Sequence, residues 1–193
     1  MPVFKKTKHL GEMHGMLGVQ WLRDRHVIVD YNNARLATPA TMEDTAAEDS
    51  KLFSHGYAGH KMMWDAALGQ YAIDGLINGV SAHIGISTVS ETVLDTEFAK
   101  RAKVQLGPVI DQFGGPSGTL GEVFLSKKQV GFTLDGQHTV RVQPHIFDAY
   151  AYKAEKRPAA GSVSTDATIG AEFMLANQAV IDFGSEMLFL PVN

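Results

Sequence analysis

The sequence predicts a mainly β fold with short helices, built from hairpins and suited to a small closed or sandwiched barrel. Three observations carry this. Two-residue turn dipeptides stand between short β-branched or alternating runs, Asn78-Gly79 being the clearest. The helical stretches are all short. A helix–hairpin unit occurs twice, 152 positions apart, at 15–37 (GMLGVQWLRDRHVIVDYNNARLA) and 167–189 (ATIGAEFMLANQAVIDFGSEMLF).

The elements follow in order. In the repeat, Gly18 matches Gly170, Asp30 matches Asp182 and Leu36 matches Leu188, while Trp21 faces Phe173 and Tyr31 faces Phe183. Each copy opens on a small residue and a short helix (19–23; 171–176). A β-branched run follows (27–29; 180–181), then a polar turn, Asn32-Asn33 or Gly184-Ser185, and a second strand. Residues 38–50 hold Pro39 and four acids, Glu43, Asp44, Glu48 and Asp49, and read as a solvated, partly helical connector. Residues 51–64 fit helix or strand. Tyr71, Ile73 and Leu76-Ile77 form a strand, Asn78-Gly79 a turn, and 80–86 the return strand. Ser90 is placed to cap a helix, with Glu91 in its first turn and Leu94, Phe98 and Ala102 on its inner stripe. The segment 107–121, with five glycines and two prolines, is expected to be largely loop. Residues 130–134 and 139–142 form a hairpin about Asp135-Gly136, and 146–152 a further strand.

Composition narrows the function classes. The 193 residues are 45% apolar and 20% charged, as in a folded globular protein of one domain, or one domain and part of another. Without cysteine there is no disulfide and no thiolate chemistry. The net charge of -4 and the lack of aromatic residues among the basic ones (Lys127, Lys128, Lys153, Lys156, Arg157) speak against a nucleic-acid partner. The basic start, Met1 to Leu10, lacks the apolar core of a signal peptide, and no run approaches the ~18 apolar residues that span a bilayer. A soluble protein is expected, with no membrane partner. Its compartment is open, including a periplasmic or secreted one after processing.

The order strand, Asn-Gly turn, strand, short loop, helix, Gly-rich loop, hairpin, strand, helix–hairpin resembles the retropepsin-like aspartic protease family. The run Ala-Val-Ile-Asp-Phe-Gly at 179–184, after Ile169-Gly170 and before Leu188-Phe189-Leu190, is similar to that family's C-terminal signature. Asn78-Gly79-Val80-Ser81-Ala82 is similar to its hairpin entering the active-site loop. The resemblance implies a retropepsin- or pepsin-lobe-like closed β-barrel. It also implies a division into 1–40, the helix–hairpin remnant of a preceding lobe as in bacterial two-lobe relatives, 41–65, a linker, and 66–193, a retropepsin-like lobe.

The family's chemistry needs two carboxylates sharing one proton, each from an Asp-Thr/Ser-Gly loop. Here the corresponding slot reads Ser87-Thr88-Val89. A Ser hydroxyl does not titrate near neutral pH and cannot be the shared acid. Val89 resists backbone angles that Gly adopts freely. The resemblance therefore implies a catalytically inactive domain with a binding or assembly role. The alternative is an active aspartic endopeptidase drawing its acids from a non-standard or partner-supplied site, with Asp95 and Asp111 as candidates. Asp95, in Val93-Leu94-Asp95-Thr96-Glu97, otherwise reads as an exposed helical residue. Asp30, Asp74, Asp135 and Asp182 read as turn residues. A third reading is an interaction domain with an unrelated β-barrel fold.

Other chemistry is not indicated. His9 and His14, and His55 and His60, are five apart, a spacing that puts helical ligands on different faces, so no metal is expected. Residues 114–121 are Gly-rich but lack the Gly-Lys-Ser/Thr ending of a phosphate loop, and no cofactor is expected. Ser87 has no histidine partner legible in the sequence and no Gly-x-Ser-x-Gly context. The expected partners are a peptide or protein ligand and a second copy of the chain, in a homodimer or by strand exchange.

Overall fold

A computed structural model describes residues 17–66, 68–114, 120–134, 138–153, 156–157 and 165–192. The first repeat copy forms helix α1 (Val19–Asp24) and strands β1 (Ile28–Asp30) and β2 (Arg35–Ala37). Helix α2 (Met42–Ser54), β3 (Tyr57–Lys61) and β4 (Met63–Asp65) follow. Strands β5 (Gln70–Ile77) and β6 (Val80–Ile86) make a long hairpin, and β7 (Val93–Asp95) runs into α3 (Thr96–Arg101). Next come β8 (Leu106–Gly114), β9 (Leu120–Ser126), β10 (Val130–Leu134), β11 (His138–Val142), β12 (His145–Phe147) and α4 (Ala149–Lys153). The second repeat copy supplies β13 (Ala167–Ile169), α5 (Ala171–Ala176), β14 (Val180–Asp182) and β15 (Met187–Pro191). The fold is mainly β with short helices. Among the described residues no helix is long and apolar enough to cross a membrane.

Two sheets are formed, in the orders β2-β1-β14-β15-β3 and β11-β10-β5-β6-β13-β7-β12-β9-β8, with β4 beside β5. The expected closed barrel is not formed. The larger sheet runs open from β11 to β8, and its apolar face is covered by helices and by the smaller sheet rather than by closure on itself. One core joins Tyr71, Ile73, Ile84, Leu94, Phe98, Phe132 and Ile146 of the lobe to Phe173, Ile181 and Leu188 of the closing unit. On the other face of the smaller sheet, Ile28, Val180 and Phe189 pack under Leu52 of α2, and Phe53 meets Phe189 edge-on at 5.3 Å.

The sequence repeat is a structural one. Equivalent helices and strands begin 152 residues apart, and both helices are preceded by an extended glycine, Gly18 or Gly170. The left-handed residues recur at the same offset: His26 (φ 50°) with Gln178 (φ 52°), Ala34 (φ 48°) with Glu186 (φ 55°). β1 pairs antiparallel with β14 about Val29↔Ile181, so that Ile28↔Asp182 and Asp30↔Val180 are images of one another. Tyr31 N donates to Ala179 O and Phe183 N to Val27 O, both at 3.0 Å. The two units are therefore related by a local two-fold axis at Val29 and Ile181.

Several expectations are corrected. Residues 41–65, expected as a linker, are folded. Thr41 and Asp44 form a reciprocal capping box that starts α2, and β3 finds a full partner in β15. Ser90 caps no helix: 93–95 is a strand, and α3 starts at Thr96 with Asp95 as its N-cap. Leu94, Phe98 and Ala102 are all buried as expected, Leu94 from the strand. The Gly-rich 107–121 is strand over most of its described length, because β9 supplies the ladder that composition does not encode. Gly107 lies so close to β9 that a Cβ would come 2.6 Å from Leu125 O. Residues 146–152 divide into β12 and α4, where Asp148 accepts from the amides of Tyr150 and Ala151. Asp74-Gly75 is inside β5 rather than in a turn, since β6 and β10 flank it. Asp135-Gly136, His9 and His14 lie outside the described residues.

Candidate functional site

The slot predicted from sequence, Ser87-Thr88-Val89, lies in the loop 87–92 between β6 and β7. What positions it is a strand crossing. β13 inserts between those two strands, parallel to β6 and antiparallel to β7. The loop must therefore arch over the end of β13. Ser87 N donates to Ile169 O at 3.0 Å, and Ala171 N to Ser90 O at 2.8 Å. Gly170 makes the crossing sterically possible, because a Cβ there would overlap the backbone of Ser90 and Glu91.

Within the loop, Ser87 Oγ accepts from Ser90 N at 3.0 Å and Val89 N at 3.3 Å, a side-chain-built turn. Val89 points outward, 68% exposed. Thr88 O accepts from Tyr31 Oη at 3.4 Å, so the first repeat copy touches the loop directly. Burial pushes the Tyr31 hydroxyl above its ordinary range, which keeps it a neutral donor. At the far end, Thr92 is buried, its Oγ1 accepts from Gly170 N at 3.1 Å, and its amide donates to Glu172 of α5. His145 Nδ1 meets Glu91 at 2.5 Å.

Ser87, Thr88 and Val89 are thus together at the loop tip, and the two fallback acids are elsewhere. Asp95 is buried, 3% exposed, and not the surface residue the helical pattern suggests. Its Oδ2 accepts from Glu97 N and Phe98 N, capping α3. Both its oxygens also take Arg157, at 2.5 and 2.9 Å. The Asp95 bond raises the Arg157 pKa further above its usual value. Arg157, expected as a solvated charge, clamps both oxygens of Asp95. Asp111 is exposed on β8 at the open edge of the larger sheet, with its Oδ1 on Gln112 N at 2.8 Å.

Two further polar groupings escaped the sequence reading. His83 is held between Asp74, 2.8 Å from Nδ1, and Asp65, 3.2 Å from Nε2. In the smaller sheet Asp182 is fully buried, with Oδ1 on the amides of Gly184 (2.6 Å) and Ser185 (3.0 Å), the turn role expected of it. Burial pushes its carboxyl up to about 6, reinforced by Asp49 of α2, whose own carboxyl is also raised by burial. Among the described residues no group of three or more His, Asp or Glu is arranged to hold a metal ion. At the loop the chemistry on offer is the Ser87 hydroxyl already engaged as an acceptor, the exposed Glu91 carboxylate paired with His145, exposed apolar surface, and backbone amides and carbonyls.

No family model and no curated protein matches the chain. Among solved structures, similar chains include a retropepsin-like aspartic protease from Rickettsia conorii, at 13% identity and TM-score 0.43, covering 70% of this chain and 98% of that one. The retroviral protease-like domain of Ddi1 from Leishmania major is similar at 13% identity and TM-score 0.39, covering 58% and 81%. EIAV protease, solved with the inhibitor HBY-793, is similar at 17% identity and TM-score 0.38, covering 59% and 93%. These three structural neighbours are retropepsin-like or retroviral aspartic proteases or protease-like domains. At these identities no residue role passes from them to this chain.

Proposed function

We propose that this chain is a catalytically inactive retropepsin-like domain whose loop 87–92 serves in binding a peptide or protein ligand, or in assembly. The observation that carries the reading is the state of its carboxylates. The slot that needs an acid holds Ser87, whose Oγ is tied to Val89 N and Ser90 N. The nearest Asp in sequence, Asp95, has both oxygens committed to Arg157 and Oδ2 also to the α3 cap, and the nearer Glu91 carboxylate is paired with His145. A shared-proton pair needs two carboxyls within reach of one water, and neither Ser87 nor a clamped Asp95 meets that need. Exposed Val89 and the ordered 87–92 backbone leave a contact surface instead.

The test is digestion of an unbiased peptide library by the folded chain at acid and neutral pH, read by mass spectrometry beside an active aspartic protease. No cleavage is expected. A consistent cleavage motif that disappears in Asp95→Asn or Asp111→Asn chains, with folding intact, refutes the reading and establishes an endopeptidase with a non-standard acid.

A further inference from the structure

The turn between β14 and β15 carries a buried carboxyl that lacks a donor. Asp30 and Asp182 are equivalent under the repeat, and both are buried. Asp30 is fully supplied. Asn33 donates its amide to Oδ1 at 2.9 Å and its Nδ2 to Oδ2 at 2.8 Å, and Arg35 stands 3.8 Å from Oδ2. In the second copy Asn33 becomes Ser185 and Arg35 becomes Met187. Asp182 keeps the backbone half of the arrangement, with the amides of Gly184 and Ser185 on Oδ1, and loses the side-chain half. Its Oδ2 is buried without a hydrogen-bond partner. What faces it is a second carboxyl, that of Asp49 on α2, whose buried Oδ1 is likewise without a partner. An ionised carboxylate only accepts, whereas a protonated one donates. We propose that Asp49 and Asp182 share one proton, and that this proton latches helix α2 onto the smaller sheet, so that α2 opens as the proton is lost.

The packing of α2 makes this contact decisive. Of its 13 residues only Thr45 is fully buried, and it lies beside Gly184. Leu52 and Phe53 reach the sheet near Phe189, yet Phe53 is 53% exposed. One turn before Phe53, on the same helix face, stands Asp49. The other charged groups around the pair are engaged elsewhere. On α2, Glu48 pairs with Lys51 and Arg35, and Asp44 belongs to the capping box. From β3, Lys61 holds Ser185 O and Glu186, and Tyr57 donates to Gln178 O at 3.3 Å. Before β1, the Cβ of His26 lies against Gly184. The Ser185 hydroxyl stands beside Asp49 and is itself unpartnered. It can supply one hydrogen, and the two facing carboxyl oxygens call for another.

The direction of the response follows from linkage. Burial first, and then the neighbouring Asp49 carboxylate, push the Asp182 carboxyl up to about 6, and burial raises that of Asp49. A group whose pKa is raised in the closed state holds its proton more tightly there. Its stabilising effect is therefore complete at low pH and is lost as pH rises through about 6. With 3.8 in the open state and about 6 in the closed one, opening of α2 becomes roughly 100-fold easier across that interval and then levels off. This inference does not rest on whether the loop at Ser87 is inactive.

The test is hydrogen–deuterium exchange of the full chain, read by mass spectrometry from about pH 4 to about pH 8 with the intrinsic pH dependence of exchange removed. Protection of α2 is expected to fall roughly 100-fold by about pH 6.5 and then level off, while that of the β5–β6 hairpin does not change. Asp49→Asn sets a permanent amide donor against Asp182, and is expected to keep α2 protected at every pH. Glu48→Gln and His26→Asn are expected to retain the wild-type profile. A wild-type profile without the fall overturns the proposal. So does an equal fall in β5–β6, an Asp49→Asn chain that still loses α2 protection, or a profile abolished by either control. If Asp49→Asn does not fold, infrared titration of the wild-type chain decides. One carboxyl is expected to keep its protonated band to about pH 6, and a chain with no protonated carboxyl above about pH 5.5 overturns the proposal.

Discussion

Removing the Asp95 carboxylate separates a structural acid from a catalytic one. Asp95 makes two kinds of contact. Its Oδ2 caps α3 at Glu97 N (3.0 Å) and Phe98 N (3.3 Å), and both oxygens hold Arg157. Loss of an N-cap costs about 1 kcal/mol. A charge-assisted pair contributes roughly 1.5–3 kcal/mol. The Arg157 side chain is 34% exposed and retains Asp148 at 3.0 Å, so the lower end, about 2 kcal/mol, applies. Asp95→Ala loses both, about 3 kcal/mol, which for a chain of this size is a fall in Tm of roughly 6–12 °C. Asp95→Asn keeps the cap, since Asn caps as well as Asp, and loses about 2 kcal/mol, roughly 4–8 °C. Arg157→Met is expected to cost more than Asp95→Asn, because it also removes the Asp148 contact and leaves the buried Asp95 carboxylate unpaired. The assay is thermal unfolding by circular dichroism, with urea denaturation as a check. An Asp95→Asn chain that keeps its Tm but loses a measured activity refutes the structural assignment. Equal stability of the Ala and Asn chains refutes the capping contribution.

Three further outcomes are expected. Gly170→Ala places a Cβ on the backbone of Ser90 and Glu91, and is expected to cost about 3 kcal/mol or more in urea denaturation, at the upper end of overpacking penalties; a change under about 1 kcal/mol argues against the crossing. Ser87→Ala removes two amide contacts from the loop, so a loss of about 1 kcal/mol is expected with no change in peptide-library digestion. Asp182, raised from 3.8 to about 6 in the fold, binds its proton more tightly folded than unfolded. Its contribution is complete below the unfolded value and is lost as pH rises through about 6, so Tm is expected to fall between about pH 4 and about pH 6.5 relative to Asp182→Asn. A wild-type profile parallel to that of Asp182→Asn over this range contradicts it.

Much of the fold was legible because its signals are local. Asn78-Gly79 takes the positive φ values, 49° and 79°, that a tight hairpin requires. The repeat at 152 residues located α1, α5 and their hairpins almost to the residue, since each unit carries its own cap, turn and β-branched run. At the site, only the resemblance to the retropepsin-like family singled out Ser87-Thr88-Val89, and their residue types then argued against an acid there.

What the sequence could not carry was long-range pairing. Strand character in 107–121 depends on which strand lies beside it, and glycine content hides that. Ser90 and Asp95 are both plausible caps by residue type, and only the insertion of β13 between β6 and β7 turns 87–92 into a loop and moves the helix cap to Asp95. The fate of Asp95 was decided by Arg157, 62 residues away, which no local pattern could supply. The repeat was read from the sequence as two similar units. That they face each other across a two-fold axis was decided by tertiary structure alone. Propensity and turn angles are properties of neighbouring residues, whereas burial and pairing are properties of what the rest of the chain brings to them.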